Sequence, residues 1–358
     1  MKKVYMNGFK EISIGDYFID SLEPYSYFPQ QSTIKYFISM ALRRWEANAF
    51  GYAEGVDYLY RTKNRYYMKY ISDFIDKFQE YNIIIMSKLN FIHPEILNNY
   101  FKKQIKILGL IDDPDSTYIR GIPYFWAFDG VFYISKSYED RLFQDELEKW
   151  GVKNSFWYPL IPQLDYSFKP FQDDDFFKNR KIDISYIGGY YGSKVDRLLK
   201  LKRVFKDRFE IYGRWPLKGY FGFLRPILKR PLFPYVIRSL SNEERKSVYL
   251  NTKIGFNLHL NGEFKECGNL RTYEVPMHGC LLLSNKAGAN AHNLIFEDQK
   301  EAVYYDNLDD AIEKINYYLS HDEERVKIAK KGFERAWKEY DYEKNLLNLL
   351  KWAEGLKK

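Results

Sequence analysis

The sequence predicts an α/β fold made of two Rossmann-like domains facing a central cleft. Three observations carry that prediction. Short apolar runs alternate with longer helical patterns through the first half, a polar Pro- and charge-bearing stretch interrupts them near the middle, and the alternation then restarts and continues to the end. Strands alternating with helices imply βαβ units and a parallel sheet. Two such domains in tandem leave a ligand cleft between them. At 358 residues the chain is long enough for two sizeable cores.

Taken in order, KKVYMN at the N-terminus reads as a strand ending near Gly8, and much of 33–80 as helical. YNIIIM (81–86) is a buried strand, 94–104 a helix, and IKILGLI (105–111) and GVFYIS (130–135) are strands. Residues 137–151 read as one helix closed by Gly151, and SFWYPL (155–160) as the next strand. The first domain is therefore placed at 1–165, with an interdomain linker at 166–180 inside the aperiodic stretch 162–181. In the second domain, 181–340, strands are expected at 181–189, 208–213, 253–260, 280–285 and 301–306. Helices are expected at 193–207, 241–252 and 269–279, followed by three from 307 to 355. The last of these, within 341–358, is expected to cross back to the first domain.

The composition is that of a soluble globular protein, with 46% apolar and 29% charged residues. The aromatic content is high, with 33 Tyr and 27 Phe, and fits either large cores or sugar and membrane-interface sites. A net charge of +7 permits an acidic partner such as a nucleotide, a polyanion or an anionic membrane face. Two cysteines, Cys267 and Cys280, allow at most one disulfide bridge, show no C-x-x-C or Cys/His ligand spacing, and suit a reducing compartment. No secretory leader is read at the N-terminus, and no apolar run approaches the roughly 20 residues of a membrane span. A cytoplasmic protein is expected, with peripheral contact at the inner membrane face left open.

Two stretches carry chemistry. In DISYIGGYYGSKVDR (182–197) a buried strand runs into Gly188 and Gly189, and a helix starts near Ser193. Glycines let backbone N–H groups approach an anion, and a helix N-terminus adds a favourable partial charge. The loop is a candidate diphosphate cradle with Lys194 or Arg197 as charge partner, or a plain strand-to-helix turn. It is not G-x-G-x-x-G, which argues against a dinucleotide cofactor. The second stretch, ECGNLRTYE, places Glu266 and Glu274 at either end, with Arg271 between them. At the carboxyl edge of a parallel sheet a carboxylate can accept two hydrogen bonds from a ribose diol and an arginine can pair with phosphate. The same residues could instead serve the helix dipole and a surface ion pair.

The spacing E-x7-E resembles the signature of retaining GT-B glycosyltransferases. More closely, DISYIGG, EIYGRW (210–215), GNLRTYEVPMHGCLLLSN (268–285) and the helices of 317–350 resemble the CgeB-like group of bacterial GT-B enzymes. LGLIDDPDS and DGVFYISKSYEDRLF match that group's first domain more loosely. The resemblance implies a nucleotide-sugar donor, UDP- or GDP-linked, and retaining transfer without a metal or cofactor. The acceptor would be a hydroxyl of a glycan, a lipid-linked glycan or a protein. It implies that Glu266 faces the donor sugar, that Glu274 holds the ribose, and that Asn269, Leu270 and Arg271 form the pyrophosphate end. Arg214, in EIYGRW, joins the nucleotide-sugar set.

Other residues extend the expected site. His259, on FNLHL, lies where a strand meets the cleft and either hydrogen-bonds a sugar or phosphate or is a satisfied structural histidine; with Glu266 and Asp113 it makes up the candidate catalytic set. His93 and Asp112 are candidates on the acceptor side. Two D-x-D triplets occur, Asp113–Asp115 and Asp173–Asp175. Hard divalent cations favour such oxygens, but the second triplet falls in the expected linker and reads as a solvated charge run, so no metal is expected. The segment 216–238 has five basic residues, five Tyr or Phe, four prolines and no acids. Its prolines forbid one continuous helix. Arg225, Lys229 and Arg230 mark it as a membrane or acceptor patch, against the plain reading of a packed loop. A non-catalytic nucleotide-sugar or glycan-binding module is the alternative on the same scaffold. Nucleic acid is not expected, because no recognised module is present.

Overall fold

The computed structural model describes residues 1–6, 11–20, 54–87, 92–111, 121–164, 172–189, 192–213, 237–259 and 267–356. It divides into two compact units. One comprises Met1–Ser135, Phe143–Pro159 and Glu343–Lys358, and the other Lys136–Leu142 and Leu160–Tyr342.

The first unit is built on a seven-stranded sheet. Its strands are β1 (Lys2–Met6), β2 (Ile12–Ile14), β3 (Tyr17–Asp20), β4 (Ile83–Ser87), β5 (Ile105–Leu110) and β6 (Gly130–Tyr133). A further strand at Ser155–Trp157 follows the short hairpin described below and is β9. The order is β2-β3-β1-β4-β5-β6-β9, parallel throughout except for the β2–β3 hairpin. β4 is buried along its whole length, as a parallel strand covered on both faces must be. The helix Arg65–Phe78 buries Tyr67, Tyr70, Ile71, Phe74 and Phe78. Phe78 meets Tyr5 edge-on at 4.4 Å and stacks on Phe74 at 4.2 Å. The C-terminal helix Tyr342–Gly355 buries Leu346, Leu349, Leu350 and Ala353, the i, i+3, i+4, i+7 stripe of a helix laid on a core. Its Trp352 packs on Phe156 of β9 at 5.2 Å, and Glu354 pairs with Lys2 of β1.

Two readings of this half change. The helical region ending at residue 80 is, over the described residues, two helices, Glu54–Arg61 and Arg65–Phe78. Lys63 takes a left-handed φ of 52° between them, and Asn64 caps the second by accepting from the N–H groups of Tyr66 and Tyr67. The expected helix 137–151 begins as a hairpin, β7 (Ser137–Tyr138) against β8 (Arg141–Leu142), and only Phe143–Lys149 is helical. Tertiary contacts override local helix propensity here. Ser137 Oγ lies 3.6 Å from Cys267 Sγ, and the backbone of Gly288 fits against the Glu139 carbonyl, where a β-carbon would lie 1.5 Å from the oxygen. Gly151 does close the helix, at φ 88°.

The second unit has five parallel strands: β10 (Ile182–Ile187), β11 (Phe209–Tyr212), β12 (Thr252–Phe256), β13 (Leu281–Asn285) and β14 (Val303–Tyr305). Their order is β11-β10-β12-β13-β14. The chain therefore leaves β10 to one side and returns on its other side. That is the topological switch point of a doubly wound sheet, beyond whose carboxyl ends such folds bind ligands. Ile184, Phe209, Ile254, Phe256, Leu281 and Leu283 form the core with Leu198, Ile315 and Phe333 from the helices.

Residues 174–180, read from composition as linker, belong to this unit. Asp173 caps a helix at Asp174–Lys178, and Phe177 is fully buried in the core. Arg180, 5% exposed, donates to the carbonyls of Phe176, Tyr249, Thr252 and His278. Arg325 is fully buried, pairs with Asp322 at 2.6 Å and donates to Phe177 O. Among the described residues no helix is long and apolar enough to cross a membrane, and no group of three or more His, Cys, Asp or Glu could hold a metal ion.

Candidate functional site

The switch point of the second unit gathers several of the expected residues. β10 ends at Ile187, and Gly188 follows, its N–H donating to Tyr212 O at 2.8 Å. A β-carbon on Gly188 would sit 2.6 Å from both Arg271 Nη1 and Tyr186 Oη, and one on Gly213 would sit 1.8 Å from Gly188 O. The two glycines allow the strand ends to close against an arginine. Arg271 Nη1 donates to Ile187 O at 3.1 Å and Nη2 to Leu258 O at 3.3 Å, joining the ends of β10 and the β12 segment. Its guanidinium lies over the Tyr186 ring at 4.7 Å. Much of its hydrogen-bonding capacity thus holds the site's floor, a role the spacing alone did not suggest.

Asn257 is the hub. It is fully buried, and its Oδ1 accepts from Asn269 Nδ2 and Arg271 Nε, each at 3.0 Å. Its Nδ2 lies 3.2 Å from Thr272 Oγ1 and 3.1 Å from Ser284 Oγ. Asn269 is the N-cap of the helix Leu270–Met277, accepting from the Thr272 N–H. The first N–H groups of that helix, at Leu270 and Arg271, have no partner within it.

His259 is 2% exposed. Asn285 Oδ1 accepts from the His259 backbone N–H at 3.0 Å and lies 2.9 Å from the ring Nδ1, while Asn285 Nδ2 donates to Lys286 O. An oxygen so fixed makes Nδ1 the protonated nitrogen and leaves Nε2 a lone-pair acceptor. Among the described residues Nε2 is buried with no hydrogen-bond partner. Burial pushes this imidazole down to about 3, with the positive charges of Lys194 and Arg271 acting in the same direction against the Asn285 bond. The ring is therefore neutral at physiological pH. Its Nε2 suits a donor such as a sugar hydroxyl, not an unprotonated phosphate oxygen.

Glu274 lies in the second turn of the same helix and is 2% exposed. Tyr249 Oη donates to its Oε2 at 3.3 Å, and Arg245 Nε stands 3.2 Å from Oε1. That second contact is close enough for an ion pair but is not aligned as a hydrogen bond, so among the described residues Oε1 lacks one. Burial raises the carboxyl's pKa, while Arg245, Arg271 and Tyr249 oppose the rise. A buried carboxylate oxygen in this state is costly unless donors reach it.

Lys194 is buried and Arg197 half-buried on the helix Gly192–Phe205, and Gly189 is exposed. Glu266, Asp112, Asp113, Arg214, Arg225, Lys229 and Arg230 lie outside the described residues. His93 is displaced from its expected role. It is fully buried, stacks on Tyr60 at 4.2 Å, accepts from the Glu95 N–H through Nδ1 and meets Asp57 Oδ1 through Nε2 at 3.0 Å. Both nitrogens are engaged, so it offers none to an acceptor. Asp173 and Asp174 serve as a helix cap and as the partner of Lys330. Asn257, Asn285, Thr272, Tyr249 and Arg245 were not singled out from sequence. The available signal was a lone Asn at the carboxyl end of each of two apolar strands.

Residues 195–351 match the family described as Glycosyl transferase-like. Both sheets of this chain match GT-B glycosyltransferase structures. One neighbour is an alpha-glucosyltransferase in complex with UDP-glucose and DNA containing an abasic site. It is 13% identical, with TM-score 0.53 over 80% of this chain and 83% of that one. HepE from Anabaena, solved in complex with UDP, is 10% identical with TM-score 0.55 over 79% and 81%. Sucrose-phosphate synthase from Thermosynechococcus elongatus is 12% identical with TM-score 0.57 over 82% and 78%. No curated protein matches the chain. The glycosyl transferase-like region contains Arg271, His259, Asn257 and Glu274 but begins after Gly188 and Lys194.

Proposed function

We propose that the protein is a retaining, metal-independent glycosyltransferase of the CgeB-like group that takes its sugar from a UDP-linked donor. The observation that carries the reading is the convergence at one switch point of a helix N-terminus, two cations and two buried acceptor atoms that have no hydrogen-bond partner among the described residues. The N–H groups opening Leu270–Met277 and Lys194 face the diphosphate and stabilise the charge that collects on it as the sugar–phosphate bond breaks. Glu274 accepts from the ribose diol, which gives its buried carboxylate the donors it lacks. His259 Nε2 accepts from a hydroxyl of the donor sugar. Glu266 contacts the transferred sugar, and Asp112 and Asp113 lie on the acceptor side, as the E-x7-E resemblance implies. Two of the neighbours were solved with UDP or UDP-glucose, which favours UDP over GDP. The acceptor is a hydroxyl of a glycan, free, lipid-linked or protein-borne.

Calorimetry with UDP, GDP and UMP, alongside hydrolysis of UDP-sugars, tests the reading. UDP should bind most tightly, and Glu274→Gln should weaken it about tenfold or more, since a charge-assisted bond contributes roughly 1.5–3 kcal/mol. Glu266→Gln should spare UDP binding and depress turnover. UDP binding without hydrolysis or transfer would make the protein a non-catalytic nucleotide-sugar module. Wild-type UDP affinity in Glu274→Gln would overturn the ribose assignment.

A further inference from the structure

We infer that the first unit carries a second, separate site for a neutral oligosaccharide, with Trp126 as its stacking platform. The observation is a cavity of about 550 Å³ at the amino-terminal ends of β6 and β9, lined in part by Trp126, Phe128, Asp129, Trp150, Lys153 and Asn154. Its volume falls within the roughly 300–1,000 Å³ of small-ligand sites.

Trp126 is 55% exposed. It sits on the 3-10 turn Ile122–Ala127, whose Tyr124 and Ala127 turn inward, so Trp126 is out of phase with the buried pair. Among the described residues its indole has no hydrogen-bond or ring partner. A large flat apolar surface is thus left at a cavity mouth with its N–H available.

The surrounding frame is fixed. The Asp129 N–H donates to Lys106 O at 2.9 Å, and the Lys106 N–H returns a bond to Asp129 Oδ2 at 2.7 Å. Asn154 Nδ2 donates to Asp129 O at 3.0 Å, and the Val131 N–H to Asn154 O at 2.9 Å. Trp150 meets Phe143 edge-on at 5.7 Å, just before the turn at Gly151. Aromatic faces ringed by a carboxylate, an amide and an ammonium suit a ligand with an apolar C–H face and a hydroxyl perimeter, which describes a pyranose. Asp129 is already paired with Lys106 Nζ at 3.7 Å, which leaves Lys153 as the one further cation among the described residues of the lining. A single ammonium among aromatic faces favours a neutral saccharide over a polyanion, which needs several cations.

The site's place in the sheet separates it from the reacting edge. Parallel sheets of this kind act at their carboxyl ends, and this cavity opens at the opposite end of the four-residue β6, about 13 Å away along the strand. A saccharide held there would keep a glycan acceptor on the enzyme by effective concentration. That purpose rests on the proposed function; the binding itself does not.

The test uses the full-length chain with maltohexaose, cellohexaose, chitohexaose and mannohexaose as probes, followed by calorimetry and by tryptophan fluorescence. At least one should bind. Trp126→Ala, checked for folding by circular dichroism, should weaken that binding about tenfold or more and leave UDP affinity within twofold of wild type; Trp126→Phe should retain part of it. The inference is overturned if none of the four binds, if Trp126→Ala binds as tightly as wild type, or if UDP competes with the saccharide. Saccharide binding that depends on Trp126 in a protein that ignores UDP would support this site and sink the proposed donor chemistry instead.

Discussion

Acid should destabilise the second unit through His259, whose burial keeps its ring neutral in the folded state. An unfolded histidine titrates near 6.5, and burial holds His259 at about 3. Below pH 6.5 the unfolded chain takes up a proton that the folded site refuses, so stability falls as pH drops. Between pH 7.5 and 5.0 the window is one and a half units, at about 1.36 kcal/mol each, or about 2 kcal/mol. His278, held at about 4, contributes a similar loss, and His292 acts in the same direction. Glu274, whose carboxyl is raised, offsets part of this by favouring the folded state in acid. The variant His259→Gln isolates one group, since the others cancel in the comparison. The two cysteines of the chain, Cys267 and Cys280, are both buried in the second unit. Their labelling by a disulfide reagent reactive at low pH, across a urea series, therefore reports on that unit alone. Wild type should lose about 2 kcal/mol more than His259→Gln on acidification, roughly a thirtyfold difference in the opening constant. Equal pH slopes for the two proteins would refute the neutral, acceptor-only imidazole on which the donor-site argument depends.

Transfer or hydrolysis activity should survive EDTA, because the proposed diphosphate site rests on a helix N-terminus and cations; complete loss restored by magnesium or manganese would overturn that expectation. Replacing Arg225, Lys229 and Arg230 together by Ser should leave UDP affinity near wild type and weaken binding to anionic vesicles or to the acceptor. That effect should be greatest at low ionic strength, where surface charge is least screened; unchanged binding would return the segment to a packed loop.

The alternation of apolar runs and helical patterns was enough to read most strands of both sheets, because a parallel strand buried on both faces is written as a continuous apolar run. Ile83–Met86 and Leu281–Leu283 are of this kind. The hairpin at Ser137–Leu142 was not legible. Its residues hold a good helical pattern, and what overrides it is contact with Cys267 and Gly288, more than a hundred positions away in sequence. Residues 174–180 failed for a related reason. A five-residue helix shows no period, and a buried arginine satisfied by carbonyls looks in sequence like a surface charge.

The candidate site divides in the same way, and the division bears on what each residue can do. Arg271 and Glu274 were found because charged residues near a glycine turn are conspicuous. Yet the structure commits much of Arg271 to carbonyls and pairs Glu274 with Arg245 and Tyr249. The residues that give the site its polarity are uncharged. Asn257 and Asn285 each end an apolar strand at the carboxyl edge, and a buried amide there has to be satisfied by partners the sequence does not announce. Asn285 decides the chemistry of His259. With its oxygen held by a backbone N–H, it assigns the imidazole proton to Nδ1 and leaves Nε2 as an acceptor. A histidine read from sequence as a contact for either sugar or phosphate is thereby restricted to a hydroxyl partner. Asn285→Asp should reverse that restriction: a carboxylate beside Nδ1 favours the imidazolium, turns Nε2 into a donor, and should add to the pH dependence of turnover a His259 titration that wild type does not show between pH 5 and 8. If Asn285→Asp and wild type share one pH–rate profile from pH 5 to 8, His259 does not touch the transferred sugar.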